Sequence, residues 1–158
     1  MRKYGWIAVL VLAADRVTKL LAAKIPADGT VLVPGVLALR RTENRGMAFS
    51  LLSVHPRLLG VLSLLVIVAA FLLLRRKKFG GLAMTGLMMM LGGAVGNMID
   101  RFWTGSVTDM IEVLFVRYPI FNVADTCLCV GCGLVIISLL FRKDEGREER
   151  NKNPEEEQ

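Results

Sequence analysis

Four apolar runs, each close to the length of a membrane-crossing helix, constrain this chain more than any other feature. A helix needs roughly 20 residues to cross the hydrocarbon of a bilayer. The runs are Trp6 to about Ala23, Leu58 to Leu74, about Phe79 to Ile99, and Phe121 to Phe141. They predict an all-α membrane protein, a four-transmembrane-helix bundle. With 54 % of its 158 residues hydrophobic, the chain is more apolar than a soluble domain of this length. Residues 1–143 are expected to form a single integral-membrane domain. Asp144 to Gln158 is almost entirely charged or polar, cannot bury a core, and is expected to be a solvated, disordered cytoplasmic tail.

The net charge of +6 could point to nucleic acid. The basic residues instead cluster beside the apolar runs, and no soluble segment interleaves them with aromatics, so no nucleic-acid partner is expected. Arg2-Lys3, Arg75-Arg76-Lys77-Lys78 and Arg142-Lys143 alternate as they should if both termini are cytoplasmic. Asp15, Arg16 and Lys19 argue against a cleaved signal peptide in the first run, because its apolar region should be uncharged.

Two segments then lie outside. Lys24 to Arg57 holds turn signals at Pro26, Asp28-Gly29, Pro34-Gly35 and Asn44-Arg45-Gly46. Between them "TVLV" and "VLALRRT" are rich in β-formers, so a small strand pair is expected on the outer membrane face. Asp100 to Ile120 is the second outer segment. Phe102, Trp103 and Tyr118 are its expected interfacial anchors.

Ionisable residues within spans are costly, face the bundle interior, and mark functional sites. Asp15 and Lys19 are four apart with the acid first, which suits an ion pair. In "GGAVGNMIDR", Gly92 and Gly96 have the spacing that lets helices approach closely. Gly93, Asn97 and Asp100 share a face, and Arg101 follows. "SVTDMIEV" alternates, with apolar neighbours that hold Asp109 against the membrane. In "FNVAD", Asn122 and Asp125 share a helical face that Cys129 and Cys132 continue. On the predicted topology Lys19, Asn97, Asp100, Asp109, Asn122 and Asp125 all lie at outer ends or in outer loops. Structural accidents would scatter over both faces, so this convergence points to one site.

The chemistry left open is narrow. His55, beside Pro56, reads as a surface residue. H-E-x-x-H and G-x-S-x-G are both absent. Cys127, Cys129 and Cys132 lack an evident fourth ligand and read as packing residues, so neither metal nor cofactor is expected. Two carboxylates remain. A close pair shares one proton: one member takes a proton from an attacking water while the other donates to the carbonyl oxygen. Such a pair hydrolyses a peptide bond and titrates as a unit.

The blocks "DRVTK", "ENRGMAFS", "GGAVGNMIDR", "VTDMI" and "FNVAD", in that order on four spans, resemble the lipoprotein signal peptidases, or signal peptidase II. The resemblance runs from about Asp15 to the end of the fourth span. It implies an aspartic endopeptidase of the bacterial cytoplasmic membrane with Asp109 and Asp125 as catalytic dyad. It implies that Asn44, Asn97, Arg101 and Asn122 contact substrate or position the dyad. Asp15, Lys19, Gly46, Phe49 and Asp100 match supporting positions. The implied partners are diacylglyceryl-modified prolipoproteins, cut just before the lipidated cysteine, and membrane lipids; a monomer is expected. Arg16 departs from the family's usual glutamine, Met110 from its usual phenylalanine, and the Cys-rich start of the fourth run is unusual.

A small proton-coupled transporter is the alternative, since it too would use intramembrane carboxylates. It should carry polar groups through the full membrane depth, and the second run has none. A non-enzymatic scaffold would explain the glycines but not two aspartates at one depth. The G-x-G-D pattern of presenilin-like proteases is absent.

Overall fold

The computed structural model describes residues 3–46, 56–76 and 79–152. Phe49 and His55, both singled out above, lie outside them. Along the chain come α1 (Gly5–Ala22), β1 (Thr30–Val33), β2 (Leu37–Asn44), α2 (Pro56–Arg76), α3 (Gly81–Trp103), β3 (Val107–Val113) and α4 (Val123–Lys152).

α3 touches the other three helices. Tyr4 lies beside Gly81 and Asp15 beside Gly96, so α1 runs in the same direction as α3. Ala124 lies beside Gly93 and Gly60 beside Phe102, so α4 and α2 run the opposite way. This is the up-and-down order that the alternating basic clusters predict. Two of the helices described, Gly81–Trp103 and Val123–Phe141, are long and apolar enough to cross a membrane. The apolar stretch of α2, Arg57–Leu72, is shorter, and α1 carries Asp15, Arg16 and Lys19 in its second half.

The expectation of an all-α protein needs correction. The segments that follow α1 and α3 build a three-stranded antiparallel sheet in the order β1-β2-β3, one strand more than the expected pair. The β1–β2 turn is Val33-Pro34-Gly35-Val36, closed by the Val36 N–H donating to the Val33 carbonyl at 3.0 Å. Gly35 has φ +71°, a value that a turn with proline before glycine requires and that other residues rarely adopt. The third strand is the alternating "VTDMIEV" stretch. It pairs with β2 so that Thr42 faces Asp109 and Asn44 faces Val107.

Two boundaries also move. α3 continues one turn past Ile99, so Asp100 and Arg101 sit in the helix rather than in a loop. α4 runs on to Lys152, where disorder was expected. Its last part is rich in Glu, Arg and Lys, which propagate a helix well once the preceding turns exist.

Burial is arranged unlike that of a soluble domain. The largest fully buried side chains are Asn122, Asp15 and Asp109. Large apolar side chains along α1, α2 and α4 are exposed, as a lipid-facing surface would be. An apolar cluster around Met84 and Met88, with Tyr4, Ile7 and Phe79 against it, fills the bundle end away from the sheet. The polar residues gather at the sheet end.

Candidate active site

The site is held by the start of α4, the end of α3, the second half of α1, and strands β2 and β3. Its foundation is an ion cluster between α1 and α3. Lys19 Nζ stands 3.0 Å from Asp15 Oδ1 and 2.6 Å from Asp100 Oδ2. Arg16 bridges the same two carboxylates, at 2.7 Å from Asp15 and 2.6 Å from Asp100. Two cations thus balance two buried acids, as buried charge requires. The helices must be close for this. A Cβ on Gly96 would stand 2.5 Å from Asp15 Oδ2, and one on Gly93 would stand 2.5 Å from the Ala124 carbonyl oxygen. The predicted Asp15–Lys19 pair is present. The part played by Arg16 was not foreseen; two acids facing a single lysine in the sequence pattern could have signalled the need for a second cation.

"FNVAD" forms the N-terminus of α4. Asn122 is the cap: its Oδ1 accepts the Asp125 N–H at 2.9 Å. Asp125 reciprocates, its Oδ2 accepting the Asn122 N–H at 3.3 Å. This reciprocal arrangement is a capping box, with aspartate in the place usually taken by Glu or Gln. The Ala124 N–H, another donor left open at a helix start, is taken by Asp15 Oδ1 at 3.3 Å. Asn-x-x-Asp before an apolar run is a helix-start signal, and it explains the pair's spacing independently of chemistry.

β3 is clamped to this helix start. The Met110 and Ile111 N–H groups donate to the Phe121 carbonyl at 3.0 and 2.8 Å, and the Phe121 N–H donates to the Ile111 carbonyl at 3.0 Å. The clamp sets Asp109 beside Asn122. Asn122 Nδ2 donates to Asp109 Oδ1 at 2.6 Å and to Asn97 Oδ1 at 3.2 Å. Asn97 Nδ2 donates to Asp125 Oδ1 at 2.8 Å. Asn44, from β2, donates through Nδ2 to Asp109 Oδ2 at 3.1 Å and accepts the Gly46 N–H on Oδ1 at 2.9 Å.

Asp109 and Asp125 both line one cavity of about 230 Å³, with Asn44, Asn97 and Arg101. Its apolar walls come from Val107, Phe121 and Leu128, and Cys129 also reaches it. Cys132 is exposed and does not line it. A second cavity of about 310 Å³ reaches Asp125 from the groove between α2 and α4, lined by Leu59, Leu62, Val66 and Leu128. Arg101 borders both. Its guanidinium donates to the Gly46 carbonyl at 3.4 Å, and its buried Nε has no partner among the described residues.

Asp109 is almost fully buried, at 1 % exposure. Burial pushes its carboxyl up to about 6, and the charge of Asp125 adds to the rise. Donation from Asn44 and Asn122 and the charge of Lys19 act against it. A carboxyl with that value exchanges its proton near neutrality, which suits acid–base work.

Residues 7–141 match the family model described as signal peptidase (SPase) II. The chain belongs to the signal peptidase II family. It is 37 % identical over 153 residues to the lipoprotein signal peptidase of Syntrophomonas wolfei, covering 96 % of this chain and 99 % of that one. It is 37 % identical to the lipoprotein signal peptidase of Lactobacillus johnsonii, covering 87 % and 92 %. A bacterial membrane enzyme solved at 2.3 Å superposes with a TM-score of 0.82 at 29 % identity, over 100 % of this chain and 94 % of that one. A second, solved at 1.9 Å, gives 0.78 at 30 % identity, over 89 % of this chain and 94 % of that one. As a signal peptidase II the chain is a membrane enzyme, an aspartic endopeptidase that removes signal peptides. The transporter reading falls with this membership, and the buried polar groups also stay at one end of the bundle.

Proposed function

We propose that this chain removes signal peptides from diacylglyceryl-modified prolipoproteins, and that Asp109 and Asp125 are the dyad that does so. The observation that carries the reading is the amide ladder. Asn44, Asn122 and Asn97 hold the two carboxylates around one cavity and present donors to both.

With one proton on the pair, the charged carboxylate takes a proton from water as its oxygen attacks the scissile carbonyl. The protonated one donates to the carbonyl oxygen, and the tetrahedral intermediate collapses with protonation of the leaving nitrogen. Arg101 borders both cavities, its Nε–H has no partner among the described residues, and it is suited to hold a substrate carbonyl beside the dyad. The groove along Leu59, Leu62 and Val66 suits a hydrocarbon segment leading to Asp125. The two cavities meeting at one acid fit a substrate that is part lipid and part peptide, cut just before its lipidated cysteine.

The enzyme sits in the bacterial cytoplasmic membrane with both termini cytoplasmic. The sheet end, and with it the dyad, faces the outer border. Residues 1–143 form one catalytic unit, followed by the charged cytoplasmic segment, and the unit acts as a monomer.

The test is reconstitution with a diacylglyceryl-modified prolipoprotein, following signal-peptide loss by gel shift with chelator present. Asp109→Asn and Asp125→Asn are each expected to lose about 10²–10⁴-fold in rate, the worth of a positioned acid or base. Near-normal cleavage by either folded variant overturns the assignment.

A further inference from the structure

The ion cluster and the dyad touch at one residue, Asn97. An asparagine side chain can present either its oxygen or its nitrogen, and only its neighbours decide which. Lys19 decides for Asn97, because an ammonium has donors and no acceptor. Its Nζ donates to Asn97 Oδ1 at 2.8 Å, in a fully buried contact. The amide nitrogen is thereby turned the other way, onto Asp125 Oδ1 at 2.8 Å. The same oxygen accepts a longer, uncharged hydrogen bond of 3.2 Å from Asn122 Nδ2, whose second hydrogen goes to Asp109. Charge-assisted hydrogen bonds are roughly twice as strong as neutral ones, so Lys19 supplies the larger share of the orientation.

We infer that Lys19 is a positioning residue for the dyad: through Asn97 it fixes the polarity of the amide ladder so that Asp125 and Asp109 both receive donors. The inference rests on the dyad reading above and deepens it. If Asn97 turned over, its oxygen would face Asp125 and repel the charged form. The pair would then hold its second proton to higher pH, and the singly protonated state that attacks would be reached later.

Among the described residues, the other titratable groups around the pair include Tyr118 and Cys129, which line the first cavity, and Glu43 of β2 beside Thr108. Arg101 of α3 borders both cavities. Asp15 and Arg16 of α1 and Asp100 of α3 lie around Lys19. Arg45 follows Asn44 in the chain, and Arg57 lies at the start of α2. The lining that α2 supplies, Leu59, Leu62, Ser63 and Val66, is uncharged. Among the cluster's cations, Lys19 alone reaches the ladder. Arg16 contacts Asp15, Asp100 and the Gly96 carbonyl. That division makes a test possible, because Arg16 still bridges both acids when Lys19 is neutralised.

The experiment is the pH profile of kcat/KM for the full chain in lipid, for wild type, Lys19→Met and Lys19→Arg. The acid limb of Lys19→Met is expected about one pH unit higher, with activity recovering on the alkaline side. At a pH below both limbs this is a roughly tenfold loss. Lys19→Arg keeps the cation and its donors, and its limb stays with wild type. A purely structural role lowers Lys19→Met equally at every pH, and an unmoved limb overturns the inference; so does a limb that Lys19→Met moves just as far in an Asn97→Ala background, because the lysine charge then acts on the carboxylates directly. If Lys19→Met does not fold, Lys19→Gln takes its place. Its amide can donate or accept, so its limb moves the same way by less, and an unmoved limb again overturns the inference. Retained activity in Asp125→Asn sinks the dyad and the inference together. An inactive Asp125→Asn with an unmoved Lys19 limb sinks the inference alone.

Discussion

Asp109→Asn should slow cleavage by about 10²–10⁴-fold without making the protein less stable at neutral pH. The Asp109 carboxyl is buried and rises from 3.8 to about 6. That rise corresponds to about 3 kcal/mol of folding stability withheld at neutral pH. The sign follows from proton binding. Between pH 4 and 6 the folded state holds a proton that the unfolded state releases, so stability declines as pH rises through this window. The penalty is absent below about pH 4 and complete above about pH 6.

Asparagine removes this titration and the repulsion from Asp125, but introduces one mismatch. Asn44 and Asn122 both turn Nδ2 toward position 109, and an amide there offers only one oxygen. Asn44 resists turning over, because its Oδ1 already accepts the Gly46 N–H. One unsatisfied buried donor costs about 1–3 kcal/mol. The net gain is about 0–2 kcal/mol at pH 7.5, a rise of up to a few degrees in Tm for a chain of this size. The assay is thermal unfolding in detergent, followed by helical circular dichroism at a series of pH values. The gain should shrink on acidification and turn into a loss of about 1–3 kcal/mol near pH 4, where only the mismatch remains. A variant less stable than wild type at pH 7.5, or a gain independent of pH, would refute the reasoning.

Gly96→Ala should destabilise the fold by about 1–3 kcal/mol, the usual range for overpacking. The new methyl would meet Asp15, whose two oxygens are held by Lys19, Arg16 and the Ala124 N–H; denaturant titration in micelles reads the loss, and an unchanged midpoint would contradict the close approach. Arg16→Gln leaves Lys19 to balance two acids, and should lower stability by about 1–2 kcal/mol while leaving the acid limb of the pH profile in place. The loss is held to that range because Arg16 is partly open to solvent, and a shifted limb would show that Arg16 also acts on the dyad.

Much of this architecture is legible without coordinates. Apolar length and charge placement settle the helices and their alternating order, because a bilayer leaves the backbone few other solutions. The β-rich outer stretches and the Asp15–Lys19 pair follow from local pattern, since both depend on residues close in the chain. Five ordered motifs carry the resemblance to the family, and ionisable residues near lipid are costly enough to mark a functional site.

What local pattern could not supply was anything carried by contacts distant in sequence. The third strand is recognisable as an alternating stretch, but only its register against β2 brings Asn44 onto Asp109. The clamp between Phe121 and Met110–Ile111 sets Asp109 at Asn122, and no periodicity encodes that bridge. Arg16 reads on its own as one more charge near a helix end, and takes on its meaning when α3 brings Asp100 to it. Asn97 gains its orientation from a lysine 78 positions away. Sequence alone determined which side chains could do chemistry and placed them at or beyond the ends of the predicted helices. Tertiary structure decided which way each amide faces, and therefore which donors Asp109 and Asp125 receive.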